Sequence, residues 1–308
     1  MLLLVLIEKL KAARIRHRYP METPQSPANS EIIIEANRSY WTVDWRELWE
    51  YRDLTYLLVR RDFISRYKQT ILGPLWFIIQ PVLMTLIFTV IFSRIAEIGT
   101  AGAPPSLFYM CGLMGWNLGL QNFTTASNIF ISNSNILNKV YFPRLLLPIA
   151  STISNLPNLI IALMVFLFYF AIQMVRAAPN PGWGVTECVW LTPLIFLHIC
   201  LIAVSIGVWT SVLTVKYRDL THALGFITQL WMYATPVIYP LSKVPSQHLI
   251  WFYFNPMAAP VELLKSAFLG TTEPPLGMYA ASIAITLCLM VSAIFVFQKT
   301  QGTFVDSL

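Results

Sequence analysis

The sequence predicts an all-α integral membrane protein that crosses the bilayer with six helices. Hydrophobic residues make up 56% of the 308 residues and charged residues only 12%, whereas a typical soluble domain carries about 25% charged residues. The mean hydropathy of +0.61 and several long uncharged stretches agree with this composition. Most of the chain therefore faces lipid or other protein, and one membrane domain is expected over residues 71–308.

Residues 1–43, which precede the first predicted helix, are interpreted as a tail. The apolar residues 1–7 come before a basic run that begins at Lys9, and a secretory signal has the opposite order. The sequence therefore predicts no signal peptide. A more ordinary polar start begins at Met21, so residues 1–20 are interpreted as an upstream extension or a mis-chosen initiation site.

Residues 44–70 predict an amphipathic helix that lies in the membrane interface. Aromatic and aliphatic residues from Trp45 to Tyr67 recur near one helical face, and they dip into lipid in such a helix while cations approach anionic headgroups. The alternative is a soluble helix of a cytoplasmic domain, but too few residues precede it to form a separate core. The cations on the remaining faces are Arg60, Arg61, Arg66 and Lys68.

Six apolar stretches have the length of a bilayer crossing, which needs about 20 residues in a helix. The predicted spans are residues 69–93, 106–128, 145–175, 188–215, 220–241 and 276–298. The third exceeds one bilayer thickness, and Pro148 and Pro157 are expected to kink it or to mark its start at the interface.

Residues 244–275 are apolar but are interrupted by Pro245, Pro256 and Pro260. The apolar pieces are too short to cross alone, and non-helical backbone at membrane depth must be buried in protein or line a wet cavity. We predict two short re-entrant or interfacial helices here, the second around residues 261–269.

The distribution of cations predicts cytoplasmic N- and C-termini. With six spans and an inside N-terminus, only four of the 21 Lys and Arg residues fall outside: Arg94, Arg176, Lys243 and Lys265. This is the bias expected from the positive-inside rule. The net charge of +6 is therefore assigned to the cytoplasmic membrane surface, and no nucleic-acid partner is expected because no such motif accompanies it.

No motif of an enzyme is present in the sequence. It lacks GxxxxGK[ST], HExxH and GxSxG, so ATP hydrolysis through a phosphate-binding loop is not expected of this chain. The four cysteines show no CxxC spacing, no metal site is predicted, and His198 and His222 are interpreted as packing residues. The spans carry almost no ionisable groups, which argues against an ion-coupled transporter and favours energy supplied from outside the membrane.

Aromatic residues gather toward the predicted outer half of the membrane. Most aromatics of a membrane protein form an interfacial belt or pack in its interior, but aromatic faces also stack on pyranose rings, which suits a sliding sugar chain. The candidates for such a pathway are Phe108, Tyr109, Trp116, Trp231, Tyr233, Tyr239, Trp251, Phe252 and Tyr253.

The cytoplasmic segment between spans two and three reads NSNILNKVYFPRLLLP. A simple connector does not need exposed Val140, Tyr141 and Phe142, so these residues favour a docking site for another protein. A helix packed against the membrane interface is the alternative.

Five segments, taken together and in this order, resemble the permease subunits of ABC exporters for O-antigen, capsular polysaccharide and teichoic acid. The segments are ELWEYRDLTYLLVRRDFISRYKQTILGPLWFIIQP (47–81), NKVYFPRLLLP (138–148), VKYRDL (215–220), QLWMYATPVIYP (229–240) and FNPMAAPVELLKSAFLG (254–270). The resemblance covers about residues 40–300.

The resemblance implies a homodimer in the bacterial cytoplasmic (inner) membrane that exports a polyprenyl-linked polysaccharide of the O-antigen type. Two copies of a separate ATPase would bind from the cytoplasm and hold ATP and Mg²⁺, with no cofactor on this chain. Residues 44–70 would frame the entrance, where their cations can meet the lipid pyrophosphate, and residues 242–272 would close the exit. The implied ATPase-docking coupling helix comprises Asn138, Lys139, Val140, Tyr141, Phe142, Pro143 and Arg144.

Two other functions stay open on the residues alone. The same fold could export teichoic acid, capsule, a drug or a small lipid. A membrane-embedded polysaccharide polymerase or ligase belongs to another class and would need acids, His or Arg in a large outer loop, whereas the predicted outer loops are short and poor in acids. A neighbouring ATPase gene, with or without a glycan-binding extension, would discriminate among these functions.

Overall fold

Every regular element in the described part of the chain is helical. The computed structural model describes residues 45–67, 73–137, 142–177, 182–217, 219–272 and 275–300, with the side chains of Trp45, Arg66, Tyr67 and Pro74 excepted. The helices are α1 (Trp45–Glu50), α2 (Arg52–Tyr67), α3 (Trp76–Phe88), α4 (Pro105–Ser127), α5 (Ile129–Leu137), α6 (Leu146–Arg176), α7 (Thr192–Lys216), α8 (Leu220–Ala234), α9 (Leu249–Phe254), α10 (Ala258–Leu269) and α11 (Leu276–Thr300).

Four helical segments within these ranges are long and apolar enough to cross a membrane. They are Trp76–Ile95, in which α3 continues as a π-helical turn, Leu146–Arg176, Glu187–Lys216 and Leu276–Thr300. They coincide with the first, third, fourth and last predicted spans. The described chain is therefore an all-α protein with several membrane-spanning helices.

The helices at the second and fifth predicted spans differ from these four. α4 has 23 residues and no charge, but it includes Asn, Gln, Ser and Thr. α8 has only 15 residues, about 22 Å at 1.5 Å per residue, which is shorter than a bilayer core of about 30 Å. The predicted span 220–241 ends early because Pro236 disfavours helical backbone at Thr235, which is extended with φ −101° and ψ 141°.

α4 and α7 form the centre of the described fold and approach each other closely. A Cβ atom at Gly207 would lie 2.5 Å from the Cβ of Ala126 and 2.9 Å from the carbonyl oxygen of Phe123. The Thr214 hydroxyl donates across the same interface to the carbonyl oxygen of Ser127, at 2.8 Å. Small residues and hydroxyl groups are the usual means of bringing two membrane helices together.

Side-chain amides join α4 to α6. The Asn155 amide donates to the side-chain oxygen of Asn122 at 3.1 Å, and the Asn158 amide donates to the side-chain oxygen of Gln121 at 2.8 Å. Hydrogen bonds between helices satisfy polar groups that would otherwise be exposed to hydrocarbon. The two helices are therefore held together by polar contacts as well as by packing.

The amphipathic helix α2 has two apolar faces. Leu54 and Leu58 are buried, and the helix lies against α6. Trp49 and Tyr56 are 70% and 66% exposed on the opposite face of α1 and α2. Lipid can cover the exposed aromatic face. The second face, which carries Leu54 and Leu58 and packs on the protein, was not predicted from the pattern of apolar residues in the sequence.

Residues 244–275 contain the two short helices that the prolines predicted, α9 and α10. α10 begins at Ala258, three residues before the predicted start, and all 12 of its residues are buried. It ends at Leu269, and the next residue is Gly270, where φ is +64° and a Cβ would lie 2.9 Å from the carbonyl oxygen of Gly184. Glycine is required at this position because both the backbone conformation and the close contact exclude a side chain.

Candidate functional site

The predicted lipid-facing cations have different environments in the structure. Arg60 is exposed. The Arg61 guanidinium donates to the Asp62 carboxylate at 2.6 Å and to the Asn133 side-chain oxygen at 2.8 Å, so it links α2 to α5. Arg66 lies in the last turn of α2, but its side chain and all of Lys68 lie outside the described residues.

The predicted docking segment is described only at its end. Asn138, Lys139, Val140 and Tyr141 lie outside the described residues. Phe142 is only 4% exposed, so the expectation of an exposed aromatic at this position is not met. Burying such a ring is worth about 1.5–3 kcal/mol, which is why it packs into its own chain beside the start of α6.

Pro143 and Arg144, the last two residues of the predicted docking segment, are half-buried. Only Leu145 separates them from α6, and the backbone N–H of Leu147 donates to the carbonyl oxygen of Arg144 at 3.1 Å. Any displacement of this segment would therefore act directly on the first turn of α6.

Three of the predicted pathway aromatics are buried in the core around α4. Phe108 and Tyr109 are fully buried, and Trp116 nearly so. The ring of Trp116 packs edge-on against Trp231, with centroids 5.6 Å apart. In this conformation these residues pack between helices.

The other candidates gather where α8 ends and α9 begins. Tyr233, Trp251 and Tyr253 have large exposed fractions. Tyr239 and Phe252 are half-buried and pack edge-on, with centroids 6.2 Å apart, and the Tyr239 hydroxyl donates to the carbonyl oxygen of Tyr233 at 3.0 Å. This exposed group is the part of the predicted aromatic set that a sugar chain could reach.

A buried ion pair on α10 was not identified from the sequence. Lys265 and Glu262 have side chains that are 0% and 1% exposed, with the ammonium nitrogen 3.3 Å from the carboxylate. Sequence reasoning placed Lys265 among the outer cations, but the side chain lies in the protein interior. The spacing of three residues is common on exposed helices, so only the apolar residues around the pair could have signalled its burial.

Lys265 is surrounded by further acceptors. Its Nζ donates to the carbonyl oxygens of Pro236 and of Tyr239, the latter at 3.3 Å, and lies 4.0 Å from the ring centroid of Phe108. Burial lowers the pKa of Lys265, and the Glu262 carboxylate opposes that shift. A buried charge needs such compensation to be tolerated.

Asn255 contacts the last turn of α8 and the first residue that follows this helix. Its side-chain oxygen accepts a hydrogen bond from the Trp231 indole N–H at 2.9 Å. Its amide donates to the carbonyl oxygen of Ala234 at 3.0 Å and to the Thr235 hydroxyl at 3.1 Å. The end of α8 is thereby fixed to the junction between α9 and α10.

Among the described residues, no group of three His, Cys, Asp or Glu side chains lies close enough to hold a metal ion. The four cysteines are free, and Cys111 and Cys200 are buried. His198 hydrogen-bonds the Thr286 hydroxyl at 3.0 Å, which joins α7 to α11. Its hydrogen bond is that of a packing residue, as the sequence suggested.

Comparison with known families decides the class of this protein. The family model of the ABC-2 type transporter matches residues 53–269, which include α4, α6, α7, α8 and the buried pair of α10. The chain belongs to the ABC-2 type transporter family. It is a membrane subunit of a transporter rather than an enzyme, as the sequence predicted.

Curated relatives of this ABC-2 type transporter are named for a single process. The O-antigen export system permease protein RfbA of Myxococcus xanthus is 26% identical over 265 residues, which cover 85% of this chain and 98% of that protein. Two permeases of the same name from Klebsiella pneumoniae are 25% and 24% identical, and each match covers 83% of this chain and 95% of the relative. The resemblance to ABC polysaccharide-export permeases is therefore confirmed, as is a multi-pass location in the inner membrane.

Proposed function

We propose that this chain is the membrane subunit of an ATP-driven exporter that moves a lipid-linked polysaccharide of the O-antigen type across the cytoplasmic membrane. The observation that carries the proposal is the similarity to permeases named for O-antigen export, which extends over 83–85% of this chain and 95–98% of theirs. Similarity of this extent involves the whole subunit and not one shared segment.

The energy comes from a partner. Because the sequence lacks a phosphate-binding loop, ATP and Mg²⁺ are assigned to two copies of a cytoplasmic ABC ATPase, and this chain needs no cofactor and performs no covalent chemistry. The segment from Asn138 to Arg144 is assigned to contact the ATPase. Since Phe142 is buried in the permease, movement of the segment would be passed to α6, and from α6 to α4 through the hydrogen bond between Asn155 and Asn122.

Two copies of the permease enclose the pathway in this proposal. Each would contribute six spans: α3 with its π-helical continuation, α4, α6, α7, α8 extended by residues 235–240, and α11. Both termini are placed in the cytoplasm, and α9 and α10 are the re-entrant helices on the outer side. Residues 235–240, which form turns and a bend, would continue this span beyond the 15 residues of α8.

The substrate is recognised at both ends of its path. Arg60, Arg66 and Lys68 are assigned to the pyrophosphate of the lipid carrier, because cations bind phosphate strongly. Arg61 is left out of this assignment, since its guanidinium donates to Asp62 and Asn133. Sugars are assigned to the exposed aromatics near the outer end: Tyr233, Trp251 and Tyr253, with Tyr239 and Phe252 beside them.

Deletion of the gene in the bacterium that encodes it tests this function. The expected result is loss of the surface O-polysaccharide together with accumulation of the polyprenyl-linked glycan inside the cell, with both restored by the wild-type gene. A matched measurement on purified protein should find ATP hydrolysis only when the ATPase subunit is present. Normal surface glycan in the deletion strain, or hydrolysis by the permease alone, would contradict the proposal, and loss of a capsule with intact O-antigen would change the substrate.

A further inference from the structure

The segment Thr235–Leu241 has no regular structure along most of its length, yet it is held from several sides. It connects α8 to the short helices, and Val237 and Ile238 within it are buried. The region therefore needs specific contacts to fix its path, since backbone in turns and bends that is buried in a protein must still satisfy its carbonyl and amide groups.

Lys265 supplies two of those contacts from α10. Its ammonium group donates to the carbonyl oxygens of Pro236 and Tyr239 and to the Glu262 carboxylate. A lysine ammonium has three donors, so these acceptors use its full capacity. Glu262 completes the arrangement by accepting a hydrogen bond from the backbone N–H of Leu241 at 3.3 Å.

α4 is packed against the same contacts. A Cβ at Gly112 would lie 2.9 Å from the carbonyl oxygen of Val237 and 3.2 Å from Cε of Lys265, and the Phe108 ring covers the ammonium group. The lysine thus occupies the point where α4, α10 and the segment Thr235–Leu241 meet.

We propose that Lys265 and Glu262 are positioning residues that lock the segment Thr235–Leu241 to α10 and α4. The three parts then move as one body, because separating them would leave a buried ammonium and two carbonyl oxygens without partners. An opening of the exit must therefore occur around the exposed aromatics of α9 and not between α10 and this segment. Only this consequence for export rests on the proposed function.

Cysteine accessibility in purified, detergent-solubilised full-length protein tests the lock without reference to transport or membrane orientation. In a background with the four native cysteines replaced by alanine, Val237→Cys should resist maleimide when Lys265 is present. Adding Lys265→Met should raise the rate at which maleimide labels the cysteine at position 237 by roughly tenfold or more, because it allows local opening. Lys243→Cys, at an exposed position, should react equally in both backgrounds and serves as the control.

A double variant separates positioning from simple stability. Lys265→Met leaves a buried carboxylate unpaired, and adding Glu262→Leu removes that charge, a change that is often tolerated when both partners are replaced by apolar residues. The double variant should regain thermal stability. The cysteine introduced at position 237 should nevertheless stay reactive and glycan export should stay low, because the carbonyl oxygens of Pro236 and Tyr239 still lack a donor. Recovery of protection and export together with stability would overturn the positioning role.

A second pair of variants, both on α4, tests the same contacts without a change of charge. Gly112→Ala should expose the introduced cysteine at position 237, because the new methyl group meets backbone at Val237. Gly115→Ala is the control, since its methyl group meets only the ends of side chains, the closest being Leu264 at 3.3 Å. Unchanged protection of the introduced cysteine in both Lys265→Met and Gly112→Ala would refute the lock. Increased labelling with normal export would refute its part in transport and leave the proposed function standing.

Discussion

At the scale of single residues, Arg60 and Arg61 are neighbours with different environments. Arg60 is exposed on α2. Arg61 is in contact with its own chain through Asp62 and Asn133. The sequence assigned one role to both cations, because charge alone does not show which helical face lies against the protein. Because Arg60 and Arg61 have different environments, their substitution is expected to have different consequences.

Arg61→Ala should lower the melting temperature of the purified protein, because it removes the hydrogen bond that joins α2 to Asn133 on α5. A hydrogen bond from a charged donor contributes about 1.5–3 kcal/mol, and the lower end is expected since Arg61 is partly exposed. Arg60→Ala should leave the melting temperature unchanged and reduce export. Thermal unfolding in detergent measures the first effect and surface glycan the second. The reverse pattern would show that the two roles were exchanged.

At the scale of helices, the close approach of α4 and α7 depends on a small residue. Gly207 has backbone and side-chain atoms of α4 where a methyl group would lie. The apolar character of both segments could be predicted from the sequence, but their contact could not, because small residues occur on every face of a membrane helix. The identity of the partner helix emerges only when the backbones are packed.

Gly207→Ala should destabilise the permease, since its Cβ would meet the Cβ of Ala126 at 2.5 Å and force α4 and α7 apart. Overpacking of this kind costs about 1–3 kcal/mol, to be measured as a lower melting temperature in detergent. Gly225→Ala on α8 is the matched control, because no atom lies within 4 Å of its Cβ position. Equal melting temperatures for both variants would mean that α4 and α7 do not pack in this way.

At the scale of the whole molecule, topology is the main open prediction. Four segments of the described chain are apolar and long enough to span, and six spans require that α4 and the extended α8 cross as well. From the sequence, position 265 would be chosen as a labelling site for the outer side of the membrane. It is unsuitable for this purpose, because the Lys265 side chain is buried. Exposed lysines at other positions provide the needed probes.

Single cysteines at Lys216, Lys243 and Lys299, all exposed positions, should decide the topology in a background without native cysteines. With six spans and cytoplasmic termini, an impermeant maleimide added to intact cells should label only the cysteine at 243. Permeabilised cells should show labelling at all three sites, which controls for reactivity. Labelling at 299 in intact cells would place the C-terminus outside and require an odd number of spans.

The sequence by itself determined the membrane class, the all-α fold, two short helices between residues 249 and 269, and the family. Of its six predicted spans, four coincide with helices that are long and apolar enough to cross a membrane. These features follow from hydropathy and local motifs, which are properties of contiguous residues. Only the tertiary structure decided that Arg61 bonds Asn133, that Phe142 and three of the aromatics are buried, and that α8 ends at Ala234. It also revealed the pair of Lys265 and Glu262. The burial and partner of a side chain depend on residues distant in the chain, and the composition of a segment does not contain that information.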